Sequence, residues 1–217
     1  MATFALIHGA GDVGWYWHLV EADLRSTGHD VVAPDLPCDD DSAGLSEYTD
    51  TVLEAIGGRT DVVVVAQSAG GFTAPLVCDR RPVEQLVLVA GLIPAPGERA
   101  NDWWRNTGYE SPAEPFDEVE TFYHDVPQEL TAEALQRTRR QSDTPGEEPW
   151  PLEAWPDVDT RFVLCRDDRL LPADFMRRVV RERLGFAPDE IDAGHCVALS
   201  RPAELAERLD AYRADQR

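Results

Sequence analysis

Ser68 lies in the pentapeptide Ala66-Gln67-Ser68-Ala69-Gly70, directly after the most apolar run of the chain, Asp61-Val62-Val63-Val64-Val65-Ala66. A serine hydroxyl serves as a nucleophile only where the backbone presents it clear of its neighbours. Small residues two places before and after it permit the sharp strand-to-helix turn that does so. The usual pattern is Gly-x-Ser-x-Gly, and here Ala66 replaces the first glycine, so one methyl group must find room. Serine-bearing turns of small residues are also common on inert surfaces. The buried-type strand before this one and the helical pattern after it favour the chemical reading, which is nucleophilic attack on a carbonyl carbon.

Such an attack needs a base, a group that orients the base, and donors for the oxygen that becomes negative. Of the five histidines, His195 suits the base, because Gly194-His195 falls in a loop after the last strand and before the closing helix. His8 and His29 read as structural residues, His18 falls on a helix and His124 in an insertion. The acid is expected after the penultimate strand, where Asp167 and Asp168 are neighbours. Asp168 is the choice, Asp167 the reserve, and Asp102 after the preceding strand a more distant alternative. The order serine, acid, histidine is one in which such triads are built. The amides of Ala69, which follows the nucleophile, and Ala10, in the His8-Gly9-Ala10-Gly11 turn, are the expected oxyanion donors. That turn lacks the third glycine, the lysine and the later acid that nucleotide-binding loops require.

The elements that must position these residues alternate. Phe4 to His8 reads as a buried strand, and Trp15 to Ser26 as a helix closed by Gly28 in the left-handed conformation. Val31 to Ala33 forms a brief strand stopped by Pro34, Leu45 to Ile56 a helix ended by Gly57-Gly58, and Asp61 to Ala66 the strongest strand. After the Ser68 turn a helix runs to Arg80 with a bend expected at Pro75, and Val83 to Ala90 is strand-like. Residues 94–157 break the pattern. They hold nine of the sixteen prolines together with many aromatic and acidic residues, and read as a cap inserted over the sheet. The alternation resumes with strand Arg161 to Cys165, a helix from Ala173 to Leu184, a short strand at Glu190-Ile191 and a helix from Pro202 to Arg213. The expectation is α/β: one domain over 1–217, with a mostly parallel sheet of about six strands flanked by helices.

The bulk numbers restrict the partners. A formal charge of −21 repels phosphate backbones and anionic surfaces, so neither nucleic acid nor a membrane is an expected partner. No apolar run reaches the length of a membrane span. Met1-Ala2-Thr3 leads straight into the first strand without a basic leader or cleavage site, so a cytoplasmic location is expected. The four cysteines, Cys38, Cys78, Cys165 and Cys196, have no metal-ligand or disulfide spacing and read as free thiols. All twenty basic residues are arginine. The chemistry described calls for no cofactor and no metal, only a small-molecule substrate. The oligomeric state is left open, a homodimer being one option.

Three stretches carry a family resemblance. Phe4-Ala5-Leu6-Ile7-His8-Gly9-Ala10, then Trp15-Tyr16-Trp17, then Gly28 to Leu36 resemble the opening of the plant methylesterase and hydroxynitrile lyase branch of the α/β hydrolases. Cys165 to Phe175, and Gly194-His195 followed by Arg201-Pro202, are similar to that branch's acid and histidine segments. The resemblance covers nearly the whole chain except the cap, and it implies an α/β-hydrolase fold with Asp168 as the acid. It also separates two activities. The lyases carry threonine where Gly9 stands, and where Cys196 stands they carry a lysine that helps handle cyanide; this chain contains no lysine. Departures from the branch are Ala66, Gln67 in place of a common histidine, and a short acidic cap. The implied activity is hydrolysis of a small uncharged ester through an acyl-enzyme. A thioesterase or lactonase would use the same triad, and a non-catalytic small-molecule receptor would use the same pocket.

Overall fold

The strand that precedes Ser68 has no polar face. Val63 and Val65 pack into one apolar cluster and Val62, Val64 and Ala66 into another on the opposite side of the sheet. Burial on both faces is the mark of a central parallel strand covered by helices on either side. A computed structural model describes residues 1–110 and 117–214 in this arrangement.

In chain order the elements are β1 (Thr3–Ile7), α1 (His18–Ser26), β2 (Asp30–Val32), α2 (Leu45–Ile56), β3 (Val62–Gln67), α3 (Ala74–Arg80) and β4 (Gln85–Val89). Four short helices follow: α4 (Ala100–Asn106), α5 (Glu118–Phe122), α6 (Gln128–Arg137) and α7 (Thr144–Glu147). The chain then forms β5 (Asp159–Cys165), α8 (Ala173–Leu184), β6 (Asp189–Ile191), α9 (Val197–Ser200) and α10 (Pro202–Ala214). The six strands lie in the order β2-β1-β3-β4-β5-β6, and every pairing is parallel. Helices α1 and α10 pack together on one face, and α2 packs against α3 on the other. Among the described residues, no helix is long and apolar enough to cross a membrane.

The strand order explains where a site can form. From β1 the chain moves outward to β2, then returns past β1 to β3 and continues the other way. The loops leaving β1 and β3 therefore diverge to opposite faces and open a crevice at the carboxyl ends of these two neighbours. Ile7 pairs with Ala66 at that edge, so the turns bearing Ala10 and Ser68 begin side by side.

Two expectations are corrected. Pro75 does not bend a helix that starts at the Ser68 turn. Residues Ser68–Phe72 form a 3₁₀ turn, and Pro75 lies in the first turn of α3, where its missing N–H would have had no partner anyway. Likewise, the helix expected from Trp15 begins as a 3₁₀ turn over Gly14–Trp17 before α1.

Between β4 and β5 the described residues contain helices and loops but no strand. This segment is tied to the sheet layer by buried polar contacts. The Trp103 indole donates to the Ile93 carbonyl at 2.9 Å and that of Trp150 to the Phe72 carbonyl at 3.1 Å. Glu148 accepts from the Leu45 amide at 2.8 Å, at the start of α2, where a carboxylate also suits the helix dipole. The strongest tie is Glu98, buried and paired with Arg183 of α8; its Oε1 accepts from Arg183 Nη2 at 2.8 Å and from Asn106 Nδ2 at 3.0 Å. Removing one partner strands the other charge away from water. Glu98→Ala should lower the unfolding free energy by about 3 kcal/mol in urea denaturation. A loss below about 1 kcal/mol would mean that the segment is not held through this pair.

Candidate active site

Ser68 occupies the turn between β3 and α3 with φ of 51°, a left-handed conformation that non-glycine residues rarely take. Two features hold it there. The Leu92 amide donates to the Ser68 carbonyl at 2.9 Å, and Gly71 allows the turn to lie on the chain after β4, since a Cβ at Gly71 would come within 2.0 Å of the Leu92 carbonyl oxygen. The methyl group of Ala66 fits, fully buried in the cluster beneath.

His195 follows β6, and its Nδ1–H donates to Asp168 Oδ2 at 2.7 Å. A carboxylate can only accept, so Nδ1 carries the proton and Nε2 is left with its lone pair. Both residues are buried, at 3% and 5% exposure. The remaining Asp168 oxygen, Oδ1, accepts from the amides of Leu170 and Leu171 at 2.8 and 2.9 Å, which fixes the carboxylate against rotation. Asp167 is exposed, its backbone amide donating to the Ala193 carbonyl, and Asp102 pairs with Arg105 on α4. Of the three candidate acids, the structure brings Asp168 alone to His195.

Ser68 and His195 line one cavity of about 320 Å³, with Gly9, Ala10, Asp12, Gln67, Ala69, Leu92, Trp104 and Phe122 among its walls. The amides of Ala10 and Ala69 border it, and among the described residues neither donates to a protein acceptor. Of the aromatic residues in 94–157, Trp104, Phe122 and Tyr123 reach this cavity, whereas Trp103 and Trp150 are core. Phe122 also packs on the His195 ring, with centroids 5.3 Å apart. Phe116 and Glu114, two further residues of the expected cap, lie outside the described residues.

The other histidines have structural partners. His8 is buried; its Nδ1–H donates to the Gly9 carbonyl at 2.8 Å and its Nε2 accepts from the Leu36 amide at 2.9 Å. Burial pushes its pKa down to about 4, so it bridges the two loops as a neutral ring. His29 accepts from the Ala2 amide and contacts Asp210, His18 stacks on Trp15, and His124 donates to the Asp167 carbonyl. Among the described residues, no group of three or more His, Cys, Asp or Glu side chains is placed to hold a metal ion.

The roles of three residues at the site were not read from the sequence. Gln67 fills the space beside Gly9, where a Cβ would meet Gln67 Oε1 at 2.4 Å and Ser68 Cβ at 3.1 Å, and its amide reaches the His195 carbonyl at 3.5 Å. A threonine at Gly9 would therefore require the end of this glutamine to shift. Asp125 accepts from the Gly194 amide at 2.8 Å and so steadies the histidine loop. Asp12 lines the cavity, where burial raises its carboxyl to about 6. Burial likewise pushes the Cys196 thiol well up, leaving a neutral group after His195.

Comparison with known proteins agrees with the fold. A family model described as the alpha/beta hydrolase family matches residues 4–208. Methylesterase 7 of Arabidopsis thaliana is 26% identical, with 95% of this chain and 94% of the relative covered. An alpha-hydroxynitrile lyase of the same plant is 25% identical, with 98% and 97% covered. The crystal structure of a pyrethroid hydrolase from Sphingobium faniae superposes with a TM-score of 0.82 at 23% identity, covering 98% of this chain and 97% of that one.

The Asp168–His195 contact has a direct test. Asp168→Asn should slow labelling of Ser68 by a fluorophosphonate on the order of 10³-fold or more, because an amide favours the wrong imidazole tautomer and cannot balance an imidazolium. Asp167→Asn should label within about threefold of the parent, as expected of a surface substitution away from the site. The reverse order would show that the carboxylate beside His195 is not the one that orients it.

Proposed function

This chain belongs to the alpha/beta hydrolase family, and on that premise we propose that it is a serine hydrolase cleaving small uncharged carboxylic esters through an acyl-enzyme. The observation that carries the reading is the buried 2.7 Å contact between Asp168 and His195, on the cavity that holds the left-handed Ser68. Ser68 Oγ attacks the ester carbonyl while His195 Nε2 takes its proton. The amides of Ala10 and Ala69 receive the oxyanion, and Asp168 balances the imidazolium. His195 then returns the proton to the departing alcohol oxygen. Water, deprotonated by the same imidazole, attacks the acyl group and frees Ser68 with a carboxylic acid as product.

Hydrolysis is preferred over cyanohydrin cleavage on two grounds. The chain has no lysine, and the residue after His195 is a buried cysteine kept neutral. No cationic side chain follows the histidine to stabilise a departing cyanide. Gln67, packed into the space beside Gly9, would have to move to admit a hydroxyl-bearing side chain there. We read residues 94–157 as the cap that closes the ester site, since Trp104, Phe122 and Tyr123 come from it.

Ser68→Ala should reduce kcat/KM for a short-chain ester on the order of 10³-fold or more while the thermal unfolding midpoint stays close to the parent's. Turnover near that of the parent would remove Ser68 from the mechanism. The net charge of −21 sets a second expectation. A neutral ester should be turned over better than a carboxylate-bearing analogue of the same size. The gap should narrow as salt is raised, because at about 0.15 M the field is already shortened to ~8 Å. An anion preferred at low salt would place an arginine in command of the pocket instead.

A further inference from the structure

The cavity around Ser68 and His195 contains two carboxyl side chains with no part in the proposed triad: Asp12, from the turn after β1, and Glu118, from the first turn of α5. Beside them stand the rings of Trp104, Phe122 and Tyr123, and among the described residues no arginine lines this cavity. We propose that the cavity receives the positively charged end of an amine- or ammonium-bearing ester, with the Asp12 carboxylate as its ionic partner and the aromatic walls around it. The inference rests on the esterase reading and names a substrate class for it: cationic esters rank above neutral ones, as neutral ones rank above anions.

Asp12 is poised for such a partner. Its Oδ1 accepts from the Val13 amide at 2.8 Å, and among the described residues Oδ2 has no protein donor. A carboxyl held in a largely desolvated pocket resists ionisation unless a cation or further donors stabilise its charge. Burial accordingly raises Asp12 to about 6, the Val13 amide and Arg139 acting against the rise and Asp35 adding to it. Arg139 is the nearby protein cation, but its guanidinium donates to the backbone carbonyls of Asp12 and Leu36 and pairs with Asp39 at 3.3 Å. It holds the loops together and leaves the carboxylate open to the cavity. A substrate ammonium would supply the missing charge, and an aromatic ring in the cavity wall such as that of Trp104 attracts the same kind of group. The net charge of −21 also draws cations toward the opening.

The other titratable groups around Asp12 leave a clear pH signature. Tyr16, Tyr123, Cys38 and Cys196 are all raised, first of all by burial, and stay neutral below pH 8. Asp35 accepts from the Gly14 amide at 2.7 Å. Glu118 and His195 share the cavity itself. His195 serves every ester alike, so its contribution cancels in a ratio of two substrates.

The test compares 2-(trimethylammonio)ethyl acetate with its uncharged carbon isostere, 3,3-dimethylbutyl acetate. In the wild-type protein at low salt and above pH 7, kcat/KM should favour the ammonium ester by roughly tenfold, about the gain of one close charge pair shielded from water. The ratio should fall as pH is lowered through about 6, because protonation removes the Asp12 charge. In Asp12→Asn, whose amide oxygen can still accept from Val13, the ratio should drop about fivefold or more and lose its pH dependence. A wild-type ratio near one, or an unchanged ratio in Asp12→Asn, overturns the inference. So does a preference that salt abolishes equally in both proteins, since that belongs to the overall charge. If the variant does not fold, the wild-type pH profile of the ratio decides.

Failure of the esterase reading is distinguishable. If neither ester is turned over, calorimetric titration of phenyltrimethylammonium into wild type and Asp12→Asn still reads the site. Saturable binding weakened roughly tenfold by the substitution upholds the cation site without hydrolysis. Absence of binding, or binding that Asp12→Asn leaves unchanged, overturns it.

Discussion

The left-handed backbone at Ser68 is the constraint around which the rest of the molecule is organised. A non-glycine residue held in that region costs about 1–3 kcal/mol, and it persists only where its surroundings over-determine it. Here they do. The strand before it is buried on both faces, the Leu92 amide holds the Ser68 carbonyl, and Gly71 lets the turn lie directly on the chain leaving β4. The ends of β3 and β4 and the glycine-rich turn after β1 thus become one rigid block. The open side of that block is the crevice that the strand order creates, and there Ser68 lines a cavity.

The same site shows how buried polar groups are made tolerable. Burying an unpaired polar group is costly, and several at the site find partners from distant parts of the chain. Asp168 takes two backbone amides and one imidazole N–H, and His8 joins the turn after β1 to the loop after β2 as a neutral ring. Gly194 rests on Asp125. These bonds hold rotamers and loops in one geometry, as the proposed acyl transfer would need, because a misplacement of about 1 Å can cost on the order of 10²-fold in rate. Asp12 differs from this pattern in having one oxygen committed and the other facing open space.

Much of this was legible in the chain itself. The uninterrupted valines of 62–65 announce a strand buried on both faces, and the small residues around Ser68 announce a tight turn. The alternation of such strands with helical patterns leaves a parallel sheet as the natural outcome. Boundaries were less secure. Pro75 reads as a helix breaker in isolation, yet it starts α3, because a 3₁₀ turn first carries the chain away from the serine.

Ser68 and His195 could be picked out because their neighbours encode local backbone states: a small-residue elbow after a strand, and a glycine-histidine loop before a closing helix. Nothing local separates Asp167 from Asp168, which share one turn and one chemistry. The choice is made by the amides of Leu170 and Leu171 together with the approach of the β6 loop, which point one carboxylate inward and leave the other in water. The roles of Gln67, Asp125 and Asp12 were hidden for the same reason. Each matters through a partner far along the chain or through the cavity it faces, and those neighbours exist only once β1, β3, β6 and α5 have been brought to one end of the sheet. Sequence determines which backbone states adjacent residues favour, whereas the direction of a side chain in a loop, and what lies opposite it, are set by the packing of segments that the sequence keeps apart.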